Sequence, residues 1–211
     1  MTRTILLTGF GPFPGAPFNP TGALVEALAH RRTPALRHVR RVAHVFATSY
    51  QAVDRELPRL IGRERPDTLI MFGLAARRPL ISIETQARNT LTRVAPDASG
   101  QLPGAGAIVP GGRATLALPV PAQRLVAAVR AAGISAVLSD DAGSYLCNYL
   151  CWRAGEAGER DGSPRLVAFV HVPNAHIAKA RRYGAPRSRL RITFDDLVRA
   201  GEAIMGAAMR R

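Results

Sequence analysis

Thr68-Leu69-Ile70-Met71-Phe72-Gly73 is the run on which the architecture turns. Four large apolar residues follow one another with no polar interruption, bounded by Pro66-Asp67 on one side and Gly73 on the other. A strand with one wet face alternates, so a continuous apolar run reads as a strand covered on both faces. Such strands belong to a parallel or mixed sheet packed between two layers of helix. Working outward, residues 4–8 form a short apolar strand that ends in the loop Gly9-Phe10-Gly11-Pro12-Phe13-Pro14-Gly15. Asn19 is a good N-cap and Pro20 suits a first helical position, with Leu24, Val25 and Leu28 on one face. Strand signals recur at 39–47, 80–87, 136–138 and 166–172. Helical spacing recurs at 50–63, where Pro58 is a blemish, and at 121–132, 145–157 and 194–209. Residues 88–117 hold Pro96, Pro103, Pro110 and five glycines with no sustained period. A loop of that length inside a compact domain is usually functional. No repeat or composition break interrupts the chain, so one domain over residues 1–211 is expected.

The 211 residues are 47% hydrophobic and 21% charged, a globular composition with room for a full core. No apolar stretch approaches the roughly 18 residues of a membrane span, so no membrane partner is expected. The first residues run directly into the first strand without a signal-like segment, which suggests a cytoplasmic protein. The formal charge is +14, and of 29 cations all but Lys179 are arginine. The short basic runs are dispersed, no nucleic-acid-binding motif is present, and aromatics are only 6%. The charge reads as a solvated surface, and nucleic acid is not expected as a partner.

The 9–15 loop has GxG but lacks the third glycine of a dinucleotide fingerprint, and Pro12 and Pro14 remove backbone donors that a phosphate would need. It reads either as a tight strand-to-helix turn or as a small apolar pocket built on Phe10 and Phe13. Cys147 and Cys151 lie one helical turn apart. With no further His or Cys pair at suitable spacing, no zinc site is expected, and a reducing cytoplasm disfavours a disulfide. Two buried thiols, or one reactive and one structural, remain. Cys147 falls in the first turn of a helix, where the dipole favours a thiolate. His171, in Val170-His171-Val172-Pro173, ends an apolar strand and is either a core-edge histidine or a general base. Glu84, in Ile81-Ser82-Ile83-Glu84, is a carboxylate preceded by apolar residues and would share a strand face with Ser82 and Gln86. Thiolate, imidazole and orienting acid are what a thiol hydrolase needs. Spacing alone leaves both readings open.

Taken in order, Thr8-Gly9-Phe10-Gly11-Pro12-Phe13 with Asn19-Pro20-Thr21, Ile81-Ser82-Ile83-Glu84 with Ala87 and Asn89, Ala142-Gly143-Ser144-Tyr145-Leu146-Cys147-Asn148, and Val170-His171-Val172-Pro173 resemble the pyrrolidone-carboxylate peptidases (pyroglutamyl-peptidase I). Pro96-Asp97 with Gly100 and Leu118-Pro119-Val120 match lesser landmarks. The resemblance implies a three-layer α/β/α sandwich around a mixed, mostly parallel sheet. It implies a cytosolic cysteine exopeptidase that removes N-terminal pyroglutamate from peptides, without a cofactor and commonly as a homotetramer. It assigns Cys147 as nucleophile, His171 as base and Glu84 as orienting acid. Phe10 and Phe13 would sandwich the lactam, with Asn19, Tyr145 and Leu146 completing the pocket and Leu74 contributing through its backbone. The alternative is a member that binds pyroglutamyl-like ligands without efficient turnover.

The departures from that pattern lie around the site. Gly73-Leu74 stands where the family usually has Gly-Gln, Asn148-Tyr149 where it has Asn-His, and Asn174-Ala175-His176 where it has Pro-Glu-Gln. The arginine that the family carries two residues before its Pro-Asp is here Val94, with Arg93 beside it as a possible charge support.

Overall fold

The computed structural model describes residues 2–13, 16–93, 95–104, 106–175 and 192–210. The apolar run becomes the strand Thr68–Leu74 (β3), buried along all but its last residue. It lies third in a six-stranded sheet with Arg3–Phe10 (β1), Val39–Phe46 (β2), Ile81–Glu84 (β4), Ala136–Ser139 (β7) and Leu166–Val172 (β8), in the order β2-β1-β3-β8-β4-β7. Neighbours β2, β1, β3 and β8 run parallel, and β4 pairs antiparallel with β8 and parallel with β7.

Alternation along the central strands divides the core in two. Ile5, Leu7, Ile70, Phe72, Val170 and Val172 point to a layer of three helices, Pro20–His30 (α1), Ala122–Ala131 (α3) and Phe194–Met209 (α5). Leu6, Leu69, Met71, Val167 and Phe169 point to Tyr50–Glu64 (α2) and Leu146–Asp161 (α4). The sheet is therefore sandwiched between helices, as expected from a strand apolar on both sides.

The helix signals read from the sequence are realised locally. Asn19 Oδ1 accepts from the Thr21 N–H at 3.1 Å, and Pro20 occupies the first turn of α1. Thr193 and Asp196 form a capping box on α5. Helix α2 continues through Pro58, which is exposed.

The expected strand at 80–87 is instead two strands. Thr85 leaves the sheet, its N–H and Oγ1 both donating to Ser139 O, and Gln86–Arg88 (β5) pairs with Thr115–Ala117 (β6) in a separate ribbon. Glu84 and Gln86 therefore do not share a strand face. Residues 88–117, expected as a long loop without a sustained period, contain β6, which at three residues is too short to show one.

Candidate active site

The row of residues that meets the start of α4 fixes the site. His171 lies on β8 two residues beyond Phe169, hence on the α2/α4 face, and its Cα partner on β3 is Gly73. Continuing the β1–β3 register by two residues beyond Thr8↔Met71 brings Phe10 level with Gly73. Phe10, Gly73 and His171 thus line up across three strands, spanning roughly 10 Å at ordinary strand spacing. Gly73 must lack a side chain. A Cβ there would lie 2.8 Å from Cys147 Sγ and 2.7 Å from Phe169 Cζ, so the thiol sits directly over this position. Gly73→Ala is expected to lower kcat strongly and stability by about 1–3 kcal/mol, the ordinary cost of overpacking. Urea unfolding and steady-state kinetics check this, and an alanine variant matching the parent in both would contradict the packing.

The acid arrives from the other direction. In the antiparallel β4–β8 pair, Ser82 is opposite His171, which puts Glu84 diagonally across on the same face. His171 Nδ1 donates to Glu84 Oε1 at 2.7 Å, leaving Nε2 as the ring nitrogen for the thiol. Both side chains are buried. Phe169 packs edge-on against the imidazole with centroids 5.0 Å apart. Burial disfavours charge on His171, but the hydrogen bond and charge of Cys147, followed by those of Glu84, outweigh it and raise the pKa to about 9. Burial likewise pushes the Glu84 carboxyl up, and His171, Ser139 and Arg78 together hold it below the usual carboxylate value.

Cys147 is the second residue of α4, partly exposed. Tyr145, the N-cap, provides no side-chain cap, so first-turn amides are available to a substrate oxygen. Asn148 pins this turn from below: its Oδ1 accepts from Arg88 N at 2.8 Å, and its Nδ2 donates to Arg88 O at 2.8 Å and Thr90 O at 3.2 Å. At the next residue, Tyr149 Oη donates to Asp54 at 2.8 Å, tying α4 to α2. Cys151 is fully buried, and desolvation, then the charges of Glu84 and Cys147, push its thiol well above the ordinary value.

The remaining candidates converge unequally. Phe10 is buried against Phe46, with centroids 6.1 Å apart, whereas Phe13 is half-buried and bridged to Ala16. Asn19 uses both ends of its amide within the loop, capping α1 and donating from Nδ2 to Gly11 O at 3.2 Å. Thr48 Oγ1 donates to the same carbonyl at 3.0 Å. Leu74 ends β3 beside Val172, and Leu146 is buried. Tyr145 Oη donates to Pro96 O at 2.8 Å. Arg93 is exposed, while Val94 and His176 lie outside the described residues.

Two further positions near the site are not singled out by the sequence. Asp97 was noted only as a landmark. Its Oδ1 accepts from Ser99 N, Ser99 Oγ and Gln101 N, and its Oδ2 accepts from Tyr50 N at 3.1 Å, so a loop residue caps α2 in place of Ser49. Arg78, which lies in one of the dispersed basic runs, donates to Glu84 Oε1 at 2.7 Å. The Arg-to-acid spacing of six residues is no recognised motif, so only the fold reveals it.

A cavity of about 730 Å³ lies elsewhere, between α2 and α4 and beside Asp67 and Arg165 at the N-terminal ends of β3 and β8. Ligands in open α/β sheets bind at the opposite, C-terminal ends, and this groove is lined by four arginines and four carboxylates, with no cysteine or histidine. Among the described residues no three His, Cys, Asp or Glu side chains cluster as metal ligands, and no helix is long and apolar enough to cross a membrane.

This arrangement has relatives. The family model for pyroglutamyl peptidase matches residues 3–209. A pyrrolidone-carboxylate peptidase of Thermococcus kodakarensis is 31% identical over 207 residues, covering 93% of this chain and 98% of the relative. The pyrrolidone-carboxylate peptidase 1 of Ralstonia nicotianae is 32% identical, covering 97% of each chain. Among solved structures, a mutant pyrrolidone carboxyl peptidase from Pyrococcus furiosus superposes with a TM-score of 0.85 at 26% identity, covering 98% of both chains.

Proposed function

The chain belongs to the pyroglutamyl peptidase family, and on that basis we propose how its own residues remove N-terminal pyroglutamate from peptides. The observation that carries the assignment is the Glu84–His171 hydrogen bond, at 2.7 Å, next to a helix-start thiol seated over a glycine. Cys147, as thiolate, attacks the pyroglutamyl carbonyl, and the amides at the start of α4 receive the developing oxyanion. His171 gives its proton to the departing amine. Water then resolves the thioester, with His171 taking its proton and Glu84 holding the ring.

The lactam lies beside the Cys147 thiol, where Phe10 and Phe13 give it apolar walls. Asn19 holds the loop that carries them, and Tyr145, Leu146 and the Leu74 backbone close the remaining sides. Arg93, exposed on the neighbouring loop, is the cation available to support charge at the scissile group. No cofactor enters this chemistry. Two free cysteines accord with a reducing compartment such as the cytoplasm. A homotetramer is proposed from the family resemblance, to be checked by light scattering.

The deciding experiment is hydrolysis of a pyroglutamyl-coumarin amide, with a prolyl-coumarin amide as specificity control and Cys147→Ala as blank. Turnover of the first amide alone is expected. Binding without turnover would instead mark an impaired family member, and cleavage of both amides would refute the lactam pocket.

A further inference from the structure

Arg78 is placed against the catalytic acid by three contacts. Nη1 donates to Glu84 Oε1 at 2.7 Å, the same oxygen that accepts the His171 hydrogen bond, and to Ser139 Oγ at 3.2 Å. Nη2 donates to the backbone carbonyl of Asp141. One guanidinium thus joins the end of β4, the end of β7 and the loop that leads into the nucleophile helix. Glu84 is fully buried and the Arg78 side chain is 31% exposed, so Arg78 closes the solvent side of the acid.

These contacts have a chemical consequence. Glu84 grips the imidazole through one oxygen, while Oε2 has no hydrogen-bond partner among the described residues. A carboxylate held at a single point can turn about its last torsion, which is broad for such groups. A planar guanidinium carrying a permanent charge restricts that turn and keeps the carboxylate ionised.

The geometry points to Arg78 as a positioning residue of the peptidase: it clamps the Glu84 carboxylate in the orientation that holds His171 and locks that acid to the Asp141 carbonyl of the nucleophile loop. The inference rests on the roles proposed above for Glu84, His171 and Cys147. Arg78 acts through Glu84 and does not reach the scissile bond. The charged groups around the imidazole are Cys147 from α4, Glu84 from β4 and, behind Glu84, Arg78 itself. A cation behind the carboxylate weakens the pull of that carboxylate on the imidazole proton. Removing the cation should therefore raise the His171 titration while loosening the ring.

The test compares Arg78→Gln and Arg78→Lys with the parent by kinetics, thermal melting and ¹⁵N NMR titration of the His171 ring. Arg78→Gln is expected to lower kcat roughly tenfold or more with KM little changed. It should also move the His171 titration upward by roughly half a unit or more. Arg78→Lys, which keeps the charge but not the fork, should restore the titration and part of kcat. An unchanged kcat and titration in Arg78→Gln would overturn the inference. So would a kcat loss explained by a lower melting temperature with the His171 titration unmoved, since that marks a structural ion pair. The NMR arm does not need turnover. If the parent failed to hydrolyse pyroglutamyl amides, an upward shift in Arg78→Gln would still support the clamp while the proposed peptidase roles fell.

Discussion

Cys147→Ser is expected to abolish hydrolysis of a pyroglutamyl-coumarin amide, a loss of roughly 10⁴-fold or more, whereas Cys151→Ser should retain most activity. The two thiols share a helix and a side-chain type and differ in surroundings. Cys147 is partly exposed on the first turn, over Gly73 and beside His171. An alcohol there is too weak an acid to be ionised by an imidazole, and it leaves a nucleophile of much lower reactivity. Cys151 lies a turn deeper, fully buried among Leu150, Trp152 and Phe169, where burial keeps it protonated. Its replacement should show in the melting temperature. Steady-state kinetics on both variants, normalised to folded protein, decide the matter. Comparable activity losses would refute the assignment of Cys147 as sole nucleophile.

The second large effect concerns charge at the base. His171 has its pKa raised to about 9, so kcat/KM is expected to fall as pH rises through about 9, where the imidazolium that protonates the leaving amine is lost. Glu84 is one of the groups that raise this pKa, hence Glu84→Gln should move that alkaline limb to lower pH. The glutamine oxygen can still accept from His171 and Arg78, so the tautomer is kept. The kcat loss should then be on the order of a hundredfold, less than where an acid-to-amide change turns the ring over. The sign for stability follows the same titration. A histidine raised in the folded state adds stability fully present below its unfolded value near 6.5, and that contribution disappears between about 6.5 and 9. A limb that stays in place in Glu84→Gln, with a collapsed melting temperature, would show a structural carboxylate.

The parts of the proposed site legible in the sequence are those whose chemistry and local signal coincide. His171 stood out because it interrupts an apolar strand, Cys147 because it opens a helix, and Asn19 because an N-cap before proline is a local rule. The fold was legible for a similar reason: the buried 68–73 run admits few architectures. What stayed hidden depends on residues distant in sequence. Arg78 looks like any of 28 arginines until β4 and β7 bring it to Glu84. Asp97 caps a helix that begins 47 residues earlier. The break between Glu84 and Gln86 was missed because a crossover at Thr85 is driven by bonds to Ser139 and Leu118, not by any turn residue.

The antiparallel pairing of β4 with β8 makes the distance between acid and base a quantised variable. Sliding β4 by one residue would turn Glu84 to the α1/α3/α5 face, and sliding it by two would displace the carboxylate by about 7 Å. The register itself admits no small error. A molecule with β4 out of register is expected to be inactive, not slow. Heat-stressed or poorly refolded preparations should therefore lose active-site titre while the surviving fraction keeps its full kcat.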